Sequence, residues 1–220
     1  MPHDVNDGRT GGEVDPPGSD RLALLREVDH RVKNNLQLIS SLVLLQSRRT
    51  KDDAVQAALK GVLERVNAVA TVHRRLFQRE DIERFDLSQF IRDLANDLAV
   101  GARRPEVTFR LDLDPTEVAA TQAAPAALVI NELVSNALKH AFPEGRAGVI
   151  DIRIRGTPRG FDLVVQDDGV GLPGAEDEIR GFGLTIANLL CRQLHAILSF
   201  EATQPGVQAT VRLESQSGRP

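Results

Sequence analysis

The sequence predicts an α+β protein in which a long helical hairpin precedes a domain of mixed helices and strands. Apolar residues recur every three or four positions between residues 21 and 76, with one polar break, and this spacing indicates two long helices. After residue 85, short segments that alternate apolar and polar residues lie between further helical segments, which is typical of strands. Because these segments lack a regular strand–helix–strand order, we expect a layered α+β domain rather than a doubly wound one.

The composition limits which kinds of protein this chain can be. The chain has 220 residues, of which 41% are apolar, so it can bury a core in one large domain or two small ones. Its net charge of −4 argues against a nucleic-acid-binding protein, and its single cysteine, Cys191, excludes a disulfide framework. The longest apolar run, Ile39–Leu45, is too short to span a bilayer, and no signal peptide is recognisable. We therefore expect a cytoplasmic protein without a membrane span.

Residues 1–19 are rich in Gly, Pro and Asp and predict a disordered tail, whereas residues 20–80 predict the helical hairpin. The apolar seam of the first helix is predicted to comprise Leu25, Val28, Val32, Leu36, Ile39, Val43 and Gln46. The seam of the second helix is predicted to comprise Val55, Leu59, Val62, Val66, Val69, His73 and Leu76. Since one hairpin cannot bury two such seams, we expect a homodimer that forms a four-helix bundle.

The second domain is predicted over residues 85–215, after a short polar linker at Arg79–Phe85 that can act as a hinge and before a tail at 216–220. Its predicted helices begin at Asp86, span Pro125–Ala141 and span Leu184–Leu194. Its predicted strands are Val107–Leu113, Val149–Arg155, Phe161–Gln166, Ile197–Ala202 and Gln208–Leu213.

His30 is the first candidate functional residue. On a helix, Asn34 lies one turn after it and Glu27 one turn before it, and all three lie off the apolar seam. A phospho-accepting imidazole needs one exposed ring nitrogen and a neighbour that fixes the tautomer through the other. A lone surface histidine in a charged stretch is the ordinary interpretation, but the motifs that follow favour the functional one.

The stretch Asn131–His140 places Glu132, Asn136, Lys139 and His140 on one face of a helix with apolar flanks. An Asn oxygen together with phosphate oxygens suits Mg²⁺, and a nearby carboxylate can bind a water or act as a base. Lys139 and His140 can contact phosphate oxygens. We expect these polar groups to line a cavity, although an exposed polar face would show the same pattern.

Two glycine motifs follow. In Asp167–Gly171, the carboxylate after a strand can accept a hydrogen bond from an adenine amino group, and the glycines permit close backbone approach. In Gly181–Leu184, the start of a helix offers backbone N–H groups to phosphate. Each motif is weak alone, and neither is a Rossmann or P-loop signature. The segment between Gly171 and Gly181 predicts a mobile lid.

Taken in order, these motifs resemble those of a known family. His30-Arg31-x-x-Asn34 with Asn35-Leu36-Gln37 resembles the acceptor box of the sensor histidine kinases whose box reads His-Arg-x-x-Asn, with a HisKA_2-type dimerisation domain. The motifs at Asn131–Asn136, Asp167–Gly171 and Gly181–Leu184 resemble the N, G1 and G2 boxes of the GHKL (Bergerat) ATPase fold. The resemblance covers about residues 21 to 214.

The resemblance implies that residues 85–215 form an ATP-binding α/β sandwich and that His30 is autophosphorylated with ATP. It implies that Glu132 is a catalytic carboxylate, that Asn136 is a Mg²⁺ ligand and that Asp167 recognises adenine. The residues expected to bind the nucleotide are Asn136, Lys139, His140, Asp167, Gly169, Gly171, Gly181, Gly183 and Leu184. The phosphoryl group would pass to an Asp of a response regulator receiver domain. We expect the input to come from a separate sensor protein or from a ligand at the hairpin, unless the chain is part of a longer protein.

The sequence departs from the family pattern at several positions. Asp29 stands where many members have a second His, and Arg31 stands where many histidine kinases carry an acidic residue, so Glu27 or a group of the ATP-binding domain must be considered as the base. The chain has no Trp, which excludes the related subfamily with a diagnostic Trp. Val207 stands where many members have Thr, so we expect one contact to the nucleotide to be absent or replaced, for example by Thr210.

Three other functions remain open from the sequence. A histidine phosphotransferase with a vestigial ATP site would share the architecture, but Asn136, Asp167, Gly171 and Gly183 argue against a dead site. A GHKL serine kinase that acts as an anti-sigma factor would lack the long hairpin with its histidine. A non-catalytic dimeric scaffold is the third.

Overall fold

The computed structural model describes residues 19–78, 83–101, 106–158, 160–171 and 182–214. The helices in chain order are α1 (Ser19–Arg49), α2 (Asp53–Gln78), α3 (Leu87–Gly101), α4 (Ala120–His140) and α5 (Phe182–Leu194), with a 3₁₀ turn at Pro143–Gly145. The strands are β1 (Arg84–Asp86), β2 (Val107–Leu113), β3 (Glu117–Ala119), β4 (Gly148–Thr157), β5 (Gly160–Asp167), β6 (Ala196–Ala202) and β7 (Val207–Glu214).

The predicted hairpin is present, and α1 and α2 pack against each other along it. The chain reverses at residues 50–52, where the Asp52 carboxylate accepts hydrogen bonds from the backbone N–H groups of Ala54 and Val55 at 2.9 and 3.1 Å. These bonds satisfy two donors that the first turn of a helix leaves without intrahelical partners. Asp52 therefore fixes where α2 begins.

The predicted seam of α1 is only partly correct. Half-buried Val32, Leu36 and Val43 follow the expected spacing, but the predicted seam residues Ile39 and Gln46 are exposed. The half-buried positions next to them are instead the small polar residues Ser40 and Ser47. Leu38, Leu42 and Leu45, spaced by four and three, form an exposed apolar face on α1. Val55 and Val62 of the predicted α2 seam are also exposed, as are Ile39 and Leu44.

The second domain contains a five-stranded sheet in the order β2-β4-β5-β7-β6. β2 runs parallel to β4, and the other neighbours are antiparallel. Helix α4 lies in the connection between the two parallel strands, as a parallel pair requires a crossover. β1 and β3, which were not predicted, form a separate antiparallel pair that brings the start of the domain next to the start of α4.

The inner face of the sheet is buried at alternate positions, and its side chains share one core with α3, α4 and α5. The deepest core side chains in the described part of the chain include Ile150, Ile152, Ile154, Phe161 and Leu163. Val72 of α2 belongs to this same cluster with 1% of its surface exposed. The helical hairpin followed by an α+β sandwich, as predicted, is therefore confirmed, but α2 also packs into the second domain.

Helix α4 begins earlier than predicted. The sequence analysis placed its start at Pro125, yet the helix begins at Ala120 and Pro125 lies within it. The Gln122 side-chain oxygen accepts the backbone N–H of Ala119 at 3.4 Å, which is one half of a capping box. None of the described helices is long and apolar enough to cross a membrane.

Candidate functional site

His30 lies on an exposed face of α1, as predicted from its position off the seam. Its ring atom Nδ1 lies 3.5 Å from Nδ2 of Asn34, one turn later on the same face. Glu27, the candidate base on this helix, accepts a hydrogen bond from Arg31 Nε at 2.7 Å. Arg31 thus pairs with the carboxylate that lies one turn before His30 on α1.

The contact with Asn34 couples the amide orientation to the histidine tautomer. When the amide N–H group faces Nδ1, that nitrogen accepts and Nε2 carries the ring proton. When the amide is turned by half a rotation, its oxygen faces Nδ1, which then keeps the proton and leaves the Nε2 lone pair free for attack. Asn34 can therefore hold His30 in a nucleophilic form.

Glu132 and Asn136 lie on the face of α4 that meets the start of α5. Glu132 is buried, with 5% of its surface exposed, and Asn136 is half-buried. A Cβ atom added at Gly183 would lie 2.4 Å from Glu132 Oε2 and 3.6 Å from Asn136 Oδ1. Only glycine fits there without displacing the carboxylate, so the structure brings three of the predicted site residues together.

The sequence analysis did not predict a further member of this cluster, Arg65 of α2. Its Nε donates to Glu132 Oε1 at 2.8 Å and its Nη2 donates to Glu132 Oε2 at 2.7 Å, a bidentate and largely buried pair. The guanidinium carbon also lies 5.3 Å from the ring centroid of Phe182, the first residue of α5. The sequence pattern that could have indicated Arg65 is a second helical stripe on α2, offset from the main apolar seam. This stripe comprises Arg65, Ala68 and Val72.

The structure places Lys139 and His140 at the exposed end of α4. Lys139 Nζ is 2.8 Å from Oε2 of Glu64, the residue that precedes Arg65 on α2. Leu184 is half-buried and packs against the core, so its side chain supports the start of α5. The shared helical face predicted from spacing is present, but burial decreases from Glu132 to His140.

A second group of predicted residues lies where β5 ends. Asp167 is 7% exposed, and its Oδ1 accepts the backbone N–H of Gly169 at 3.0 Å. Burial raises the pKa of its carboxyl group above the usual value, and hydrogen bonds from the N–H groups of Gly169 and Val207 oppose that shift. The nearby charge of Asp168 adds to the raised pKa.

The two groups are connected through the end of α4. The backbone N–H of Val170 donates to the carbonyl of Ala141 at 3.0 Å, and a Cβ at Gly169 would lie 2.3 Å from that same oxygen. Gly171 has a φ of 81°, which favours glycine. The turn at Asp167–Gly171 thus lies against α4, while Gly181 and the predicted lid after Gly171 lie outside the described residues.

The proposed substitute contact from Thr210 is wrong. Thr210 pairs with Val164 of β5, on the face of the sheet opposite to Asp167 and the core. Its hydroxyl lies 3.5 Å from Nε2 of Gln208. Val207 is on the same face as Asp167, and its contribution to that site is the backbone N–H rather than a side-chain hydroxyl.

Two family models match the chain over consecutive regions. The first, described as histidine kinase (HisKA_2), covers residues 27–100, and the second, described as histidine kinase-, DNA gyrase B- and HSP90-like ATPase, covers residues 121–217. The first includes His30 and the hairpin. The second includes Glu132, Asn136, Asp167 and Gly183.

Similar proteins carry the same two regions. The chain is 37% identical over 176 residues to the sensor histidine kinase PdtaS of Mycobacterium tuberculosis, which covers 78% of this chain and 33% of that protein. It is 29% identical over 159 residues to the blue-light-activated histidine kinase 2 of Erythrobacter litoralis, covering 68% of this chain and 44% of that protein. The chain therefore spans about a third to a half of the length of these relatives.

The fold has a solved counterpart. The histidine kinase domain of the Erythrobacter litoralis EL346 blue-light-activated histidine kinase matches 90% of this chain and 94% of that domain, with a TM-score of 0.64 and 24% identity. This match confirms the fold, and the sequence matches over both regions do not favour the anti-sigma alternative, which lacks the hairpin. The chain belongs to the sensor histidine kinase family, with a HisKA_2-type hairpin followed by a GHKL-type ATPase domain.

Proposed function

We propose that this chain is an ATP-dependent protein-histidine kinase that phosphorylates His30 and passes the phosphoryl group to an Asp of a response regulator receiver domain. The observation that carries the proposal is the presence on one chain of an exposed His30 and a GHKL-type site in which Glu132, Asn136 and Gly183 converge.

The chemistry assigned to His30 is a phosphoryl transfer. The ring nitrogen without a proton attacks the γ-phosphorus of ATP, a P–N bond forms, and the bond to the ADP oxygen breaks. Asn34 holds the tautomer that leaves Nε2 free, and the ring proton at Nδ1 leaves after transfer. Glu27 is held by Arg31, so a carboxylate of the ATP-binding domain is the better candidate to receive it.

Binding of the nucleotide is assigned to the second domain. Asp167 accepts the adenine amino group, and the backbone N–H groups around Gly183 at the start of α5 face phosphate oxygens. The oxygen donors of Asn136 and Glu132 fit Mg²⁺, which prefers oxygen ligands and keeps much of its shell from water and phosphates. When bound, Mg²⁺ would neutralise charge on the phosphates. Lys139 would contact phosphate once released from Glu64.

The assembly assigned to the hairpin is a homodimer. One hairpin leaves its exposed apolar face and the further exposed apolar side chains named above in water. A second hairpin of the same kind would cover this face and complete a four-helix bundle. The cytoplasm is the compartment where such a kinase meets a receiver domain, and a separate sensor protein is the proposed source of input.

Incubation with ATP labelled in the γ-phosphate tests the function. Wild-type protein should acquire an acid-labile label, because phosphohistidine is acid-labile and phosphoserine is not, and mass spectrometry at neutral pH should locate the label on His30. His30→Ala should bind nucleotide but remain unlabelled, His73→Ala should still be labelled, and neither His73 nor His140 should carry the label. Acid-stable label, or label that persists in His30→Ala, would overturn the proposal.

A further inference from the structure

Two consecutive residues of α2 form ion pairs with two candidate site residues of α4. Arg65 pairs with Glu132 through two hydrogen bonds, and Glu64 pairs with Lys139 at 2.8 Å. Each pair joins opposite charges across the boundary between the hairpin and the ATP-binding domain. We refer to these two pairs together as the latch.

The latch occupies the groups that the nucleotide would need. A Cβ at Gly183 would lie 2.4 Å from Glu132 Oε2 and 3.4 Å from Arg65 Nη2, so the guanidinium lies beside the backbone that opens α5. The bidentate pair takes one lone pair on each Glu132 oxygen and holds a positive charge beside the carboxylate, which repels a metal cation from the same oxygens. Lys139 lies in the last turn of α4, and its positive charge is neutralised by Glu64.

The charge of Glu64 also opposes a triphosphate. A carboxylate within hydrogen-bonding distance of Lys139 would repel phosphate oxygens that approach the same ammonium group. Because Arg65 is 19% and Glu132 6% exposed at their side chains, water screens their attraction poorly. The docked arrangement therefore favours the nucleotide-free site over the ATP-bound one.

We propose that the latch is an autoinhibitory contact in which the hairpin and ATP compete for Glu132 and Lys139. The proposal rests on the proposed function. In the latched state α2 holds both residues. ATP binding, or a rotation of the hairpin imposed by a sensor, separates Glu64 and Arg65 from α4 and frees the site.

The remainder of α2 provides the pivot for this movement. Val72 is buried in the core of the second domain, and Arg75 forms an ion pair with Asp93 of α3. The Arg75 guanidinium carbon also lies 6.0 Å from the ring centroid of Phe90. These contacts anchor the C-terminal end of α2, so the latch can open while the hairpin stays attached.

The test is an equilibrium titration of the full chain with Mg²⁺ and a fluorescent ATP analogue. Apparent affinity equals the intrinsic affinity multiplied by the fraction of open molecules, so Glu64→Ala and Arg65→Ala should each bind the analogue tighter by about threefold or more. Both variants should also label His30 faster at subsaturating ATP. Arg74→Ala, which removes an exposed arginine on the same helix, is the matched control and should bind as the wild type does.

The outcomes separate the latch from the proposed function. The latch is supported if Glu64→Ala and Arg65→Ala bind the ATP analogue more tightly than the wild type does. It is also supported if these two variants bind the analogue and the wild type does not. Unchanged binding in both, with a wild type that binds and labels, overturns it. Weaker binding in Arg65→Ala would instead make Arg65 a phosphate ligand and also overturn it. Absence of binding and labelling in every protein, including the variants, would overturn the proposed function and with it the inhibitory role.

Discussion

The Nδ2 atom of Asn34 lies 3.5 Å from Nδ1 of His30, one turn along the exposed face of α1. When the amide turns so that its oxygen accepts from Nδ1–H, Asn34 holds the tautomer with a free Nε2, so Asn34→Ala should slow labelling of His30 without weakening nucleotide binding. A net hydrogen bond contributes about 1 kcal/mol, which corresponds to roughly a fivefold rate change if it selects the reactive tautomer. Single-turnover labelling at saturating ATP measures the rate. Asn35→Ala, at the adjacent exposed position, is the control, and equal rates for the two variants would remove Asn34 from the mechanism.

Asn136→Ala should lose the Mg²⁺-dependent part of nucleotide affinity. Its side-chain oxygen lies beside Gly183 and Glu132, and it is the metal ligand proposed for this site. Titrations with and without Mg²⁺ should differ in the wild type and coincide in the variant, and labelling should cease. Asn131→Ala offers a comparison for destabilisation alone, because Asn131 is buried on the same helix and its Nδ2 has no hydrogen-bond partner among the described residues. A Mg²⁺ effect retained in Asn136→Ala contradicts the assignment.

Nucleotide affinity should fall on acidification, and Asp167 should cause the fall. Burial raises the pKa of Asp167 in the folded protein above its unfolded value, so protonation favours the folded state and the ionised form costs stability at neutral pH. The adenine contact needs the ionised acceptor, so affinity falls as the pH drops through this raised pKa. Asp167→Asn should bind weakly at neutral pH and lack this transition. A transition that persists in the variant would assign it to another group.

Substitution in the exposed apolar face of the hairpin should disrupt the proposed dimer. Leu42 is 57% exposed in one chain, and a glutamate there would place a charge in the bundle core. Sedimentation analysis should show a dimer for the wild type and a monomer for Leu42→Glu at micromolar concentration. Ile197→Glu, at an exposed apolar residue of β6, should remain dimeric. A monomeric wild type would contradict the dimer itself.

The parts of the fold that repeat a simple period were predictable. Strands β2, β4, β5, β6 and β7 alternate in burial and were predicted within a few residues, as were the hairpin and α5. The short pair β1 and β3 was missed because three residues carry too little pattern, and its stability comes from pairing with a distant segment. The start of α4 was misplaced because Ala119, at its N-cap position, is not one of the usual capping residues and so leaves no start signal in the sequence.

Site residues could be proposed from the sequence where the functional side chains lie within one short motif. Glu132, Asn136, Asp167 and Gly169 were proposed from short motifs and their family resemblance, and the structure places Glu132 and Asn136 beside Gly183. Arg65 was missed because its role depends on how α2 packs against α4, which no local pattern contains. Thr210 was misassigned because a strand's facing is fixed by register, and one position separates the two faces of the sheet.

Val72 lies on the hairpin but is buried in the core of the second domain. The C-terminal part of α2 should therefore unfold together with the second domain, although the sequence boundary between the two domains lies near residue 80. An ATP-binding domain excised at residue 83 would lose Val72 and Leu76 and expose the apolar side chains of the core against which they pack. Melting of the C-terminal half of α2 would remove part of that domain's core, which links the integrity of the signalling helix to the folding of the catalytic unit.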